Sequence, residues 1–140
     1  MKKRYFILIM ILVLAVSAVL ISACGDKIDN ETNYTKIGAV LEGENFTIVD
    51  LNTVITQSLY PGIEKGFSAN RISGGNYESV FVFLFPNKTA LNNFVKIKAG
   101  SYKEAYTIGL IYYGGGDPLL EIAKPATQIV FDTIGGTMVD

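Results

Sequence analysis

Between the glycine pair Gly74-Gly75 and Pro86 lies Val80-Phe81-Val82-Phe83-Leu84-Phe85, six apolar residues in succession. In an extended chain successive side chains point to opposite sides. This stretch therefore has no face to turn to water. Phe81, Phe83 and Phe85 share one side; Val80, Val82 and Leu84 share the other. The segment is expected to be a central strand with material packed on both faces.

The neighbouring pattern builds a sheet around it. Phe67–Ile72 reads as a strand joined to Tyr77–Phe85 through Ser73-Gly74-Gly75-Asn76, whose glycines suit a tight hairpin. Asn87 is a natural cap for a helix burying Ala90, Leu91, Phe94 and Val95. Ile108–Tyr113 reads as one further strand. Asp117 and Pro118 open a last helix with a stripe at Leu119, Ile122, Ala126, Ile129 and Val130, which Pro125 must kink or split. Upstream, Ile37–Leu41 reads as a short strand and Phe46–Val49 as another extended run. Asp50 is placed to cap a helix carrying Leu51, Val54, Ile55 and Leu59 on one face. The order β-α-β-β-α-β-α fits an α+β fold, a ferredoxin-like antiparallel sheet with an added C-terminal helix. Two helices on one face leave the other bare, so the third helix is expected to cover it. If it does not, Phe81, Phe83 and Phe85 form a candidate interaction face.

The start of the chain has a different character. Lys2-Lys3-Arg4 precedes an apolar run from Tyr5 to Leu20 broken only by Ser17, and Ile21-Ser22-Ala23-Cys24 follows. This resembles the lipobox of bacterial lipoproteins, with an aliphatic residue, two small residues and then cysteine. The resemblance implies cleavage between Ala23 and Cys24 and diacylglycerol on the Cys24 thiol. Two acyl chains make a stable anchor where one does not. Residues 1–23 would then be a signal peptide. Residues 24–36, rich in Asp, Asn and Thr, would be a flexible tether, and residues 37–140 a single domain. The competing reading is an uncleaved membrane helix, since 19 residues from Tyr5 to Ala23 just span a bilayer core. Both readings place the domain on the extracytoplasmic side.

From Val80 to Lys124 the pattern is also similar to small, largely uncharacterised lipoproteins of Gram-positive bacteria. These pair an aromatic-rich strand, an Asx-capped helix, an aliphatic-Tyr strand and a closing helix. That implies class and location, not an activity.

Composition narrows the chemistry. Histidine is absent and Cys24 is the only cysteine, which removes the usual general base, the commonest transition-metal ligand and any internal disulfide. Without residues 1–23 the chain carries nine basic and thirteen acidic residues, a net of −4 with no basic stripe, so nucleic acid is not an expected partner. Tyr113-Gly114-Gly115-Gly116-Asp117-Pro118 lacks the Lys-Ser/Thr pair of a phosphate loop, and Asp117 would repel an anion. It reads as a structural turn. No serine–lysine spacing supports a dyad, and Glu42 and Glu44 sit in a solvated turn. The acidic Asp26–Asn33 stretch lacks calcium-loop spacing. Asn30, Asn33, Asn45 and Asn87 each begin an Asn-x-Thr triplet, read as coincidence in a chain rich in Asn and Thr. Tyr102, Tyr106, Tyr112 and Tyr113 form a loose aromatic group.

The expectation is a membrane-anchored extracytoplasmic lipoprotein without metal or cofactor. Its domain would be a non-enzymatic module binding an envelope protein or small ligand. The alternatives are an envelope enzyme using Tyr, Lys and carboxylates, or a structural component dimerising through Phe81, Phe83 and Phe85.

Overall fold

The computed structural model describes residues 28–55, 62–98, 104–115 and 125–139. The chain is α+β. In order come helix α1 (Asn30–Gly43), strand β1 (Thr47–Asp50), a single helical turn Asn52–Val54, β2 (Lys65–Ser73), β3 (Asn76–Leu84), α2 (Lys88–Lys98), β4 (Glu104–Ile108), β5 (Ile111–Gly115), α3 (Ala126–Ile134) and β6 (Thr137–Met138). The strands form one open sheet ordered β1-β2-β3-β5-β4-β6, and each neighbouring pair is antiparallel.

Strand β3 is central, as its composition demands. Val80, Val82 and Leu84 are buried on one face, and Phe83 and Phe85 on the other. The hairpin into it turns on Gly74 (φ 59°) and Gly75 (φ 84°), the left-handed pair a two-residue turn requires. Asn87 caps α2, with its Oδ1 accepting from the Ala90 amide at 2.9 Å. The Asp50 carboxylate accepts from the Asn52 amide at 2.6 Å, but the described helical turn ends at Val54.

The strand order corrects the ferredoxin-like expectation. That fold interleaves two β-α-β units. Here β3-α2-β4, with β5 between its strands, and β5-α3-β6, with β4 between its strands, are such units, but β6 lies at the β4 edge while β2 and β1 occupy the β3 edge, where the ferredoxin-like order would put the last strand. The expected single strand over Ile108–Tyr113 is two strands, because Gly109 (φ 57°) reverses the chain. Helix α3 begins directly after Pro125; Asp117 and Pro118 lie outside the described residues.

The largest departure is at α1. Ile37–Leu41 is helical, and so is Asn30–Lys36, read from sequence as tether. Asp29 caps the helix, accepting from the Thr32 amide at 3.0 Å and the Thr32 hydroxyl at 2.6 Å. Tyr34, Ile37 and Leu41 then follow at helical spacing onto the sheet, with Ile37 and Leu41 wholly buried. Helices α1 and α3 together cover the valine face. Helix α2, rather than the last helix, closes the phenylalanine face.

If α1 belongs to the folded body, Ile37→Ala and Leu41→Ala each cost about 2–5 kcal/mol, read from the urea midpoint. A tether would leave both substitutions silent. Ala39→Gln, on the exposed side of the same helix, is expected to stay within about 0.5 kcal/mol of the parent.

Candidate functional site

The Gly74-Gly75 turn sets Arg71 of β2 directly opposite Glu78 of β3, and both face the helices α1 and α3. Arg71 Nη2 meets Glu78 Oε2 at 2.7 Å, with the two side chains only 17% and 7% exposed. The guanidinium lies 4.2 Å above the Phe46 ring and donates through Nη1 to the Glu44 carbonyl at 3.2 Å. The other Glu78 oxygen accepts from the Ala126 amide, the first of α3. A carboxylate at a helix N-terminus meets both an unpaired donor and the positive end of the helix dipole. At the next residue, Thr127 Oγ1 donates to Glu104 Oε2 at 2.8 Å.

Glu78 and Glu104 are the obvious candidates for paired-carboxylate chemistry. Their surroundings favour a mechanical role. The cavity between them measures about 10 Å³, room for about one water molecule. Both Glu78 oxygens are engaged, one by Arg71 and one by α3. The cluster is a clasp that ties the helix start to the sheet. Gly115 belongs to it: a Cβ there would stand 3.1 Å from Thr127 Cγ2, so glycine lets α3 approach β5. Gly114, also buried in β5, has a different use, since a Cβ there would stand 3.0 Å from the Tyr112 hydroxyl and 3.2 Å from Ala105 Cβ; Gly116 is outside the described residues.

The candidate face at Phe81, Phe83 and Phe85 is largely closed. Phe94 of α2 packs at 5.5 Å from Phe83, 5.2 Å from Phe85 and 5.0 Å from Tyr112. Phe83 and Phe85 are 3% and 1% exposed, and only Phe81 is part-buried. This corrects the idea of a bare aromatic face: α2 supplies the cover within the chain.

The tyrosine group divides across the sheet. Tyr112 joins the phenylalanine face, whereas Tyr113 stacks on Tyr106 at 5.3 Å on the other. Tyr113 donates its hydroxyl to the Gly135 carbonyl at 2.8 Å and pins the end of α3. Burial, with Tyr106 beside it, pushes the Tyr113 phenol well above its ordinary range. Tyr34 is raised likewise, first by burial and then by the charges of Asp50 and Glu31. Tyr102 lies outside the described residues, as do Ala23 and Cys24.

Large apolar side chains remain exposed at the β2–β3 tip. Ile72 and Tyr77 are cross-strand partners there, 76% and 67% exposed. The Tyr77 hydroxyl donates to Asn70 Oδ1 at 2.7 Å, as does Ser79 at 2.8 Å, and Asn70 Nδ2 reaches Ser68 Oγ at 3.2 Å. The ring is thus held by a polar ladder beside an exposed aliphatic group. A second exposed feature is an open hollow of about 420 Å³ along the outer side of α1, lined by Glu31, Thr32, Thr35, Lys36 and Ala39. Among the described residues, no three carboxylates gather as metal ligands. None of the described helices is long and apolar enough to cross a membrane. Sequence reasoning missed the Arg71–Glu78 pair and the Ile72–Tyr77 tip. The signal was present, because a two-residue Gly-Gly turn fixes which residues face each other.

Comparison with known protein families, curated proteins and solved structures finds no match.

Glu78→Gln strands the Arg71 cation and weakens the hold on α3. It is expected to cost about 3–5 kcal/mol in urea unfolding. Replacing the pair together, Glu78→Leu with Arg71→Met, recovers much of that loss. A double variant as damaged as the single one would deny the pair its coupling. The raised Tyr34 and Tyr113 phenols make stability fully present below the unfolded phenol pKa, and lost as pH rises through their folded values. An absorbance titration of the folded protein should show these two ionising at higher pH than they do in denaturant. In denaturant all phenols titrate near 10.

Proposed function

We propose that this chain is a membrane-anchored extracytoplasmic lipoprotein whose domain is a non-enzymatic module that contacts another envelope protein. Its address rests on the Lys2-Lys3-Arg4 start, the apolar run and Ile21-Ser22-Ala23-Cys24. The contact surface is the β2–β3 tip. The observation that carries the choice of a binding module is how the polar groups are used. The buried carboxylate Glu78 is consumed by a clasp, while Ile72 and Tyr77 stand exposed on a hairpin braced by hydrogen bonds. An aromatic ring with a polar tip beside an aliphatic side chain suits a protein contact, because it offers apolar area at low entropic cost.

A photo-reactive residue at position 72, in intact membranes, should capture one specific neighbour. Tyr77→Ser in that background should abolish the capture and leave the unfolding midpoint nearly unchanged, since the Tyr77 side chain is exposed. Capture of nothing specific would count against the module. Cys24→Ala should release the protein from the membrane fraction. Retention unchanged by that substitution would favour the uncleaved membrane helix.

A further inference from the structure

We propose that the domain rests on the lipid surface through one end of its sheet, formed by Ile28, the Gly109–Leu110 turn and the start of α2. The Ile72–Tyr77 tip is thereby held outward. The inference rests on the reading of Cys24 as the lipidated residue, and it adds an orientation that the sequence did not contain.

Covalent reach is the first argument. Read from sequence, the tether ran to Lys36, twelve residues beyond Cys24. With α1 starting at Asn30, the described part of the domain begins much closer to Cys24. Four residue steps separate Cys24 from Ile28. At ~3.6 Å per fully extended residue they span at most about 14 Å, whatever path they take. The first packed residue of the domain is therefore confined close to the bilayer surface.

Attachment is the second. The start of α1 is bound to a particular end of the sheet. Asn30 Oδ1 accepts from the Leu110 amide at 2.8 Å. A Cβ on Gly109 would lie 2.9 Å from Ile28 Cγ2, so Ile28 sits directly on this turn. Glu31 pairs with Lys65 at 2.5 Å, at the first residue of β2. Phe85 donates its amide to the Leu110 carbonyl at 3.0 Å, which places the entry to α2 at the same end. Wherever Ile28 is held, the Gly109–Leu110 turn and Lys88 are held with it.

Surface chemistry is the third. Ile28 is 47% exposed, and Ile108 and Leu110 are partly exposed beside it. Lys88, at the start of α2 on the same end, is exposed, whereas Lys65 is paired with Glu31. Exposed aliphatic groups at the end of the chain's own anchor suit the boundary between headgroups and acyl chains, where a long lysine such as Lys88 can keep its amine in the headgroups. Three aliphatic side chains fall far short of a stable protein–protein interface. Against a surface to which the chain is already linked, weak attraction suffices, because the tether makes the contact intramolecular. Lipid is thus the occupant that this patch fits.

The opposite end follows by geometry. Strands β2 and β3 each run nine residues from this end to the Gly74-Gly75 turn. At ~3.3 Å per residue that is about 30 Å, roughly twice the reach of the link. An upright sheet carries Ile72 and Tyr77 clear of the headgroups.

The test uses the full-length, lipidated protein in phosphatidylethanolamine–phosphatidylglycerol vesicles. The Cys24 thiol is then blocked, so an environment-sensitive fluorophore goes only to an introduced cysteine. Exposed sites are Lys88→Cys at the near end, with Ile72→Cys and Thr47→Cys at the far end; Leu110→Cys probes the turn itself. Quenching by brominated acyl chains should be several-fold stronger at 88 and 110 than at 72 and 47. If Leu110→Cys disturbs the fold, Lys88→Cys decides alone. Equal quenching at both ends, or stronger quenching at 72, overturns the orientation. A shielded label at 88 and 110 that ignores brominated lipid means a protein covers that end, and overturns it too. Cys24→Ser separates the two ideas. Persistent membrane binding by that variant removes the anchor itself, whereas its release alongside equal quenching in the lipidated protein removes only the orientation.

Discussion

Strand β3 organises the molecule, because neither of its faces tolerates water. Val80, Val82 and Leu84 require cover on one side, and Phe83 and Phe85 require it on the other. A strand buried on both faces also needs hydrogen-bonded neighbours on both edges, and β2 and β5 supply them. The need for two layers then dictates what each helix does. α2 leaves the end of β3 and folds back over the phenylalanines. α1 and α3, far apart in sequence, meet over the valines.

The price of that second layer is a helix start that must be closed, and Glu78 closes it. A charge this deep is tolerated because it is shared between a cation and a helix N-terminus. The same residues that invite a catalytic reading are thereby immobilised. At the other end of α1, Asp29 and Asn30 play the corresponding part, the first capping the helix and the second holding the β4–β5 turn. Both ends of the valine-face layer are tied to the sheet by polar side chains, with the apolar contacts between them.

Much of the sheet centre was legible in the sequence. The Gly74-Gly75 hairpin, the Asn87 cap and the two-faced β3 each follow from local physics: left-handed backbone, an orphan amide and alternation. The candidate contact was legible only in part. Counting back from the turn pairs Ile72 with Tyr77 and Arg71 with Glu78, but it does not say which pair is buried. That depends on α1 and α3 passing over Arg71 and Glu78 and leaving the tip uncovered. The aromatic run misled in the same way. Phe81, Phe83 and Phe85 lie on one face by alternation, but whether that face is bare is decided by where Phe94 goes.

The helix at Asn30–Gly43 shows where sequence reasoning ends. Its apolar residues are few and its first turn is polar, so locally it resembles a linker followed by a short strand. Tyr34, Ile37 and Leu41 become a buried stripe only when Phe67, Val82 and α3 stand opposite them. By itself the sequence determined an α+β composition, a two-sided central strand, its hairpin and cap, and a leader pattern ending in Cys24. Tertiary structure alone decided the strand order, the assignment of helices to faces and the helical state of Asn30–Lys36. Alternation and capping are properties of neighbouring residues, whereas the burial of a weakly amphipathic helix is settled by surfaces contributed from elsewhere in the chain.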